Sequence, residues 1–204
     1  MKENFHRQML RDIEELTEGG KIPRLLLHSC CAPCSSSVLE RLSRDFAVTV
    51  LYYDPNIFPE EEYLFRKQEQ QEFIRRFPFT HPVAFLEADY RPEEFYAAVR
   101  GLEQEPERGA RCTVCYRLRL AKTAELAAAG GFDCFATTLT LSPLKDPERL
   151  NRIGAEEGAR FGVRYLPSDF KKENGYLRSL EITREYGMYR QNYCGCVFSR
   201  RQES

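Results

Sequence analysis

The sequence predicts an α/β protein built on a doubly wound, mostly parallel sheet. Short apolar, β-branched or aromatic runs alternate along the chain with segments of helical periodicity. The run of Leu25, Leu26 and Leu27 leads into a tight turn and then a helix, the order of a strand feeding a crossover. At 204 residues, with no internal repeat or low-complexity segment, the chain can bury one large core.

Each element has its own signal. Residues 8–16 read as a leading helix stopped by Gly19 and Gly20. After the first strand come Ser35, Ser36 and Ser37, residues favoured as helix N-caps, so a helix is expected over 38–42. Residues 47–53 are β-branched and aromatic and form the second strand, broken at Asp54, Pro55 and Asn56. Residues 59–76 are helical, with Tyr63, Leu64, Phe73, Ile74 and Phe77 as the expected buried stripe. A short strand at 83–86 precedes a turn and a helix over 92–100, and the polar stretch 103–108 reads as an exposed loop. Cys112 and Cys115 open a strong helix that runs over 116–129 to Gly130 and Gly131. A strand at 134–139, a helix at 147–161, a strand at 163–166 and a helical segment at 176–189 complete the pattern, and the chain then reaches Cys194-Gly195-Cys196.

Composition excludes some classes. The formal net charge is −1, which by itself points to neither a nucleic-acid nor a membrane partner. No apolar run approaches the roughly 20 residues that a membrane span needs. Residues 1–18 are rich in charged and polar residues and lack the unbroken apolar region of a signal peptide, so a cytoplasmic protein is expected.

In that compartment thiols stay reduced, and clustered cysteines favour metal ligation or redox chemistry over structural disulfides. Seven of the eight cysteines lie in three groups: Cys30, Cys31 and Cys34; Cys112 and Cys115; Cys194 and Cys196. The first group occupies the loop after the first strand, the ligand edge of a parallel sheet. Many proteins place phosphate-cradling glycines there, and thiols in their stead argue for a metal or redox centre. Cys30 and Cys31 are adjacent, with Cα atoms about 3.8 Å apart, too close for an unstrained disulfide. Cys112 and Cys115 at a helix start share one face, where the helix N-terminus favours thiolates. Four such thiolates complete a set for zinc or an iron–sulfur cluster.

The remaining residues leave alternatives open. Cys194 and Cys196 read as a redox pair, extra ligands or a structural disulfide, with Gly195 permitting the bend. Cys34 is a further ligand or a bystander, and Cys134 a small core residue. His28 faces the site or sits satisfied in the core. Asp54 and Asp169 follow strands, where catalytic carboxylates sit, yet both also suit turns. Basic residues gather at Arg111, Arg117, Arg119 and Lys122, and again at Lys171, Lys172, Arg178, Arg184, Arg190, Arg200 and Arg201. Tyr176, Tyr189 and Tyr193 interleave with the second group, a mixture that suits RNA or a merely solvated surface.

Six ordered strings resemble the QueH-type epoxyqueuosine reductases. They are His28-Ser29-Cys30-Cys31-Ala32-Pro33-Cys34, Tyr53-Asp54-Pro55-Asn56-Ile57, Arg111-Cys112-Thr113-Val114-Cys115-Tyr116, Thr137-Thr138-Leu139 with Ser142-Pro143, Asp169-Phe170-Lys171-Lys172, and Tyr189-Arg190-Gln191-Asn192-Tyr193-Cys194-Gly195-Cys196. The resemblance implies a fold related to the adenine-nucleotide α-hydrolases, expected as one domain over residues 22–204, while residues 1–21 lie outside the resemblance and read as an accessory helix. It implies reduction of epoxyqueuosine to queuosine at the wobble position of a tRNA, fed by an unidentified electron donor. Cys30, Cys31, Cys112 and Cys115 match the ligands of a 4Fe–4S cluster, and Cys194 and Cys196 match a redox-active pair. An additional mononuclear iron near Cys34 and an acid such as Asp54 are further expectations. The competing reading is a zinc-stabilised RNA-binding module without catalysis.

Overall fold

The computed structural model describes residues 4–199. Its centre is a sheet of five parallel strands: β1 (Arg24–His28), β2 (Ala47–Tyr52), β3 (Ala84–Glu87), β4 (Cys134–Thr137) and β5 (Arg164–Tyr165), in the order β3-β2-β1-β4-β5. The strand order reverses between β1 and β4, the topological switch where doubly wound sheets bind ligands. His28 is in register with Leu51 on one side and Thr137 on the other, so it marks the carboxyl edge of that switch.

Helices cover both faces. On one face lie α1 (Phe5–Leu16), α2 (Ala32–Leu42), α3 (Glu60–Arg76) and α7 (Gly175–Glu185). On the other are α5 (Ala110–Ala129) and α6 (Pro147–Phe161), with α4 (Pro92–Ala98) against α5. The period-two rule of strands divides the core: Leu25 and Leu27 pack with Val48, Val50 and Ala136, whereas Leu26 packs with Phe135, Leu120 and Ile153. Each of the three leucines is fully buried, worth on the order of 2 kcal/mol apiece. From α1, Met9 and Ile13 join the first of these clusters, and Asp12 and Glu15 pair with Arg164 of β5.

Several elements depart from their expected limits, each for a local reason. Helix α2 begins at Ala32, not after the serines, with Cys31 as its N-cap and Pro33 in its first turn. The buried Ser35 and Ser36 donate back to the carbonyls of Ala32 and Pro33 at 3.1 Å, which lets serine sit inside a helix. Leu64 is 44 % exposed; α3 instead turns Tyr63, Arg66, Gln70 and Phe73 inward, while Ile74 and Phe77 are partly buried. Strand β4 stops at Thr137 because its hydroxyl caps a 3₁₀ turn over Thr138–Leu141, accepting from the Leu139 N–H. Helix α7 ends at Glu185, so Cys194-Gly195-Cys196 lies in an irregular loop beyond it.

A candidate metal and thiol site at the sheet switch

The first wall of the site is the turn between β1 and α2. Cys30 and Cys31 are buried, and their sulfurs lie 3.9 Å apart. Cys34 stands in the first turn of α2, and the three sulfurs lie within 4.8 Å of one another. A group this tight has the size that a single thiolate-bound ion requires. The turn is held from below: Ser29 and Ser35 both donate to Gln70 Oε1 of α3, at 2.8 and 2.9 Å. Hydrogen bonds from the Cys31 and Cys34 thiols hold Cys30 well below the usual thiol range. Burial pushes Cys31 up, and the hydrogen bond with Cys30 pushes Cys34 up to about 12.

The second wall is the start of α5. The buried Arg111 fastens the preceding loop, with Nη1 donating to the carbonyl of Glu103 at 2.8 Å. Cys112 accepts the Arg108 N–H at 3.2 Å, and Cys115 packs with Cys196 and Phe95. The expected helix-terminus effect does not dominate here. Burial raises both thiols, Cys115 to about 11, although the Arg108 N–H opposes the rise at Cys112 and the Arg119 charge opposes it at Cys115.

The third wall is the loop after α7. Gly195 adopts φ +101°, and a Cβ there would meet Ile57 Cγ1 at 2.8 Å, so only glycine fits. The Phe58 N–H donates to the Gly195 carbonyl at 2.8 Å and Arg66 Nη1 to the Cys194 carbonyl at 3.4 Å, fixing the loop against α3. The Cys196 thiol hydrogen-bonds Cys194 and so holds Cys194 well below the ordinary thiol range, while Cys196 itself is raised. Gln191 Nε2 donates to Cys31 Sγ at 2.9 Å and links this wall to the first. No cysteine among the described residues is in a disulfide.

Behind the thiols lies buried charge. Arg119 of α5, 3 % exposed, donates from Nε to His28 Nε2 at 3.2 Å and pairs through Nη2 with Asp54 Oδ1. His28 Nδ1 meets Thr137 Oγ1 at 2.9 Å, so the histidine is a satisfied core residue beneath the site. Asp54, 1 % exposed, reaches the thiols through Arg119, which also bonds Cys115. Arg66, fully buried, pairs with Glu62 at 2.7 Å and faces Cys31 and Cys30. Sequence reasoning missed Arg66 and Gln70; their signal was two polar residues at the inward spacing of Tyr63 and Phe73 on α3.

Two cavities meet here. The larger, about 320 Å³, is lined by Cys30, Cys34 and Cys194 together with Tyr176, Arg190 and Tyr193. The smaller, about 20 Å³, is lined by Cys112, Cys115, Cys194 and Cys196. Arg119, Lys145 and Cys194 belong to both. Seven thiols thus converge on one region, and Cys134 alone lies apart, fully buried in the core as expected. The tight group is Cys30, Cys31 and Cys34, and the sulfurs of Cys112 and Cys115 lie outside it. Soft thiolate donors of this kind suit zinc or iron–sulfur chemistry.

Residues 25–202 match the family described as epoxyqueuosine reductase QueH. The chain belongs to the epoxyqueuosine reductase QueH family. Relatives bearing that name include one from Streptococcus pyogenes serotype M1, 45 % identical over 99 % of this chain and 80 % of the relative. Another, from Staphylococcus epidermidis, is 41 % identical over 97 % of this chain and 85 % of the relative, and one from Haemophilus influenzae is 40 % identical over 96 % and 78 %.

For this QueH-family chain the charged surface is narrower than the sequence implies. Arg111 and Arg119 are buried, Arg117 is paired with Glu156 and Glu157, and Lys122 with Glu125, so the first basic group is no open phosphate surface. In the second group Lys171 is held by Asp169 at 2.9 Å, and Arg178 by Glu40 at 2.6 Å. Lys172, Arg184 and Arg190 remain exposed, and Arg190 stacks 5.2 Å from the Tyr176 ring at the larger cavity. Arg200 and Arg201 lie outside the described residues. No helix among the described residues is long and apolar enough to cross a membrane.

Proposed function

We infer that the protein reduces epoxyqueuosine in tRNA to queuosine, with its thiol-lined cavity as the reaction chamber. The observation that carries this is one cavity in which Cys30, Cys34 and Cys194 face the same space as Tyr176, Arg190 and Tyr193. Thiols supply redox chemistry there, and aromatic faces with a guanidinium suit a base lifted from a single-stranded loop. The cavity is of the size that a modified base fills.

The proposed cofactor is a 4Fe–4S cluster held by Cys30, Cys31, Cys112 and Cys115, with Cys34 available to an additional iron. When bound, such a cluster supplies electrons one at a time. Arg66 and Arg119 offset the negative charge that thiolate ligands concentrate in a buried site. Gln191 donates to the Cys31 sulfur, a hydrogen bond of the kind that tunes such centres.

Deoxygenation breaks two C–O bonds, forms one C–C π bond, consumes two electrons and two protons, and releases water. Cys194 and Cys196 together hold the two electrons: a thiolate and a thiol become one disulfide as two electrons and the Cys196 proton leave, and the second proton comes from water. An external reductant then restores the dithiol. Asp54, expected as an acid, acts by orienting Arg119 beside the thiols. The work is cytoplasmic in this reading, where thiols are kept reduced. Helix α1 precedes the matched residues and serves as an accessory cover on the Leu25 face.

The test is anaerobic purification, iron and sulfide analysis, and incubation with epoxyqueuosine-tRNA and a chemical reductant, followed by nucleoside mass spectrometry. Queuosine should appear in proportion to cluster content. Zinc without sulfide, with tRNA bound but unchanged, would replace this reading by the zinc-stabilised RNA-binding module.

A further inference from the structure

Lys145 differs from the buried cations Arg119 and Arg66 of the site. It lies in the loop between the Thr138–Leu141 turn and α6, half-buried, and lines both cavities at their partition. The groups that act on its charge are Cys194, Tyr116, Cys30 and Arg119. Arg119 has Asp54 and Arg66 has Glu62, but Lys145 has no carboxylate within ion-pair distance among the described residues. Glu107 lines the same partition without pairing to it. The next residue, Asp146, is committed to capping α6, accepting the Glu148 and Arg149 N–H groups at 3.0 and 3.2 Å.

A second polar group on this wall is also unspent. Thr138 is fully buried and lines the larger cavity, and its Oγ1 has no hydrogen-bond partner. A buried hydroxyl without a partner is destabilising unless a ligand satisfies it. An ammonium without a carboxylate partner and a hydroxyl without any partner, both lining the larger cavity, make a built site for a substrate oxygen.

We propose that Lys145 binds the epoxide oxygen of the substrate, donating a hydrogen bond to it while both C–O bonds break, with Thr138 as the second donor. This rests on the reductase reading above. Fixed donors aimed at developing negative charge lower the barrier without reorganising. Lys145 lends a hydrogen bond and is unchanged at the end. The two electrons come from Cys194 and Cys196, one proton from Cys196 and the other from water, and the oxygen leaves as water.

The test compares the wild-type holoenzyme with Lys145→Met and Lys145→Arg. Three quantities are measured: iron and sulfide content, affinity for epoxyqueuosine-tRNA against queuosine-tRNA, and the single-turnover rate of the pre-reduced protein. Lys145→Met should keep its iron, lose the preference for the epoxide-bearing tRNA, and slow by about 100-fold, the scale of losing one such donor. Lys145→Arg, which keeps the charge, should recover at least part of both the preference and the rate. A Lys145→Met rate within threefold of wild type overturns the proposal. So does a slow variant with its epoxide preference intact, or an equal loss of iron and rate in both variants. If wild type itself yields no queuosine, the reductase reading fails first and takes this assignment with it, a result distinct from an active wild type matched by Lys145→Met.

Discussion

Arg119 and Asp54 form an ion pair with both side chains removed from water, joining the middle of α5 to the turn after β2. Neither charge is tolerable there alone, and His28 and Cys115 share the same guanidinium. Neutralising Asp54 as Asn should therefore cost about 3 kcal/mol of stability, because a buried arginine is left uncompensated. For a chain of this size that is on the order of 6–12 °C in melting temperature. Chemical and thermal denaturation check it, and an unchanged midpoint would mean that the thiols alone balance Arg119.

Serine at Cys30, Cys31, Cys112 or Cys115 should lower iron and sulfide, measured anaerobically by colorimetric analysis and visible absorbance. Cys134→Ala is the control: it should soften the core by about 1 kcal/mol and leave the iron untouched. Cys34→Ser separates the two proposed metals, since it should remove only the iron in excess of the cluster. Four single variants with full iron would remove this ligand set.

Serine at Cys194 or Cys196 should leave iron near wild type and abolish multiple turnover. Both thiols already line the smaller cavity. Gly195→Ala tests the loop without touching a sulfur. Its positive φ and the contact with Ile57 should cost about 1–3 kcal/mol and misplace both thiols, so that activity falls while iron stays. Loss of the cluster in Cys194→Ser and Cys196→Ser would make these residues ligands.

Affinity for tRNA should fall steeply as salt rises, because phosphate contacts release counterions. Lys172→Gln should flatten the slope of log affinity against log salt by about one unit, whereas Lys171→Gln should change it less, since Lys171 is already paired with Asp169. Lys172 stands on a groove of about 240 Å³ with Arg41 and Arg44, on the outer side of α2. Filter binding across a salt series decides the matter, and a flat profile would remove the phosphate role from this surface.

The sequence by itself determined the order of strands and helices, the parallel α/β class and the three cysteine groups. These features are written in short-range periodicity and spacing, which the chain carries wherever it folds. The position of Cys34 in the first turn of α2 was hidden because serine caps and serine interiors look alike until the back-bonded hydroxyls are seen. Only the tertiary structure decided that Arg111 and Arg119 are buried struts and not phosphate contacts, that His28 is satisfied by Thr137 and Arg119, and that Cys194 looks into both cavities. A charge reads the same along a sequence whether it meets water or a buried carboxylate, and it is the packing of elements far apart in the chain, such as Asp54 against Arg119, that supplies the difference.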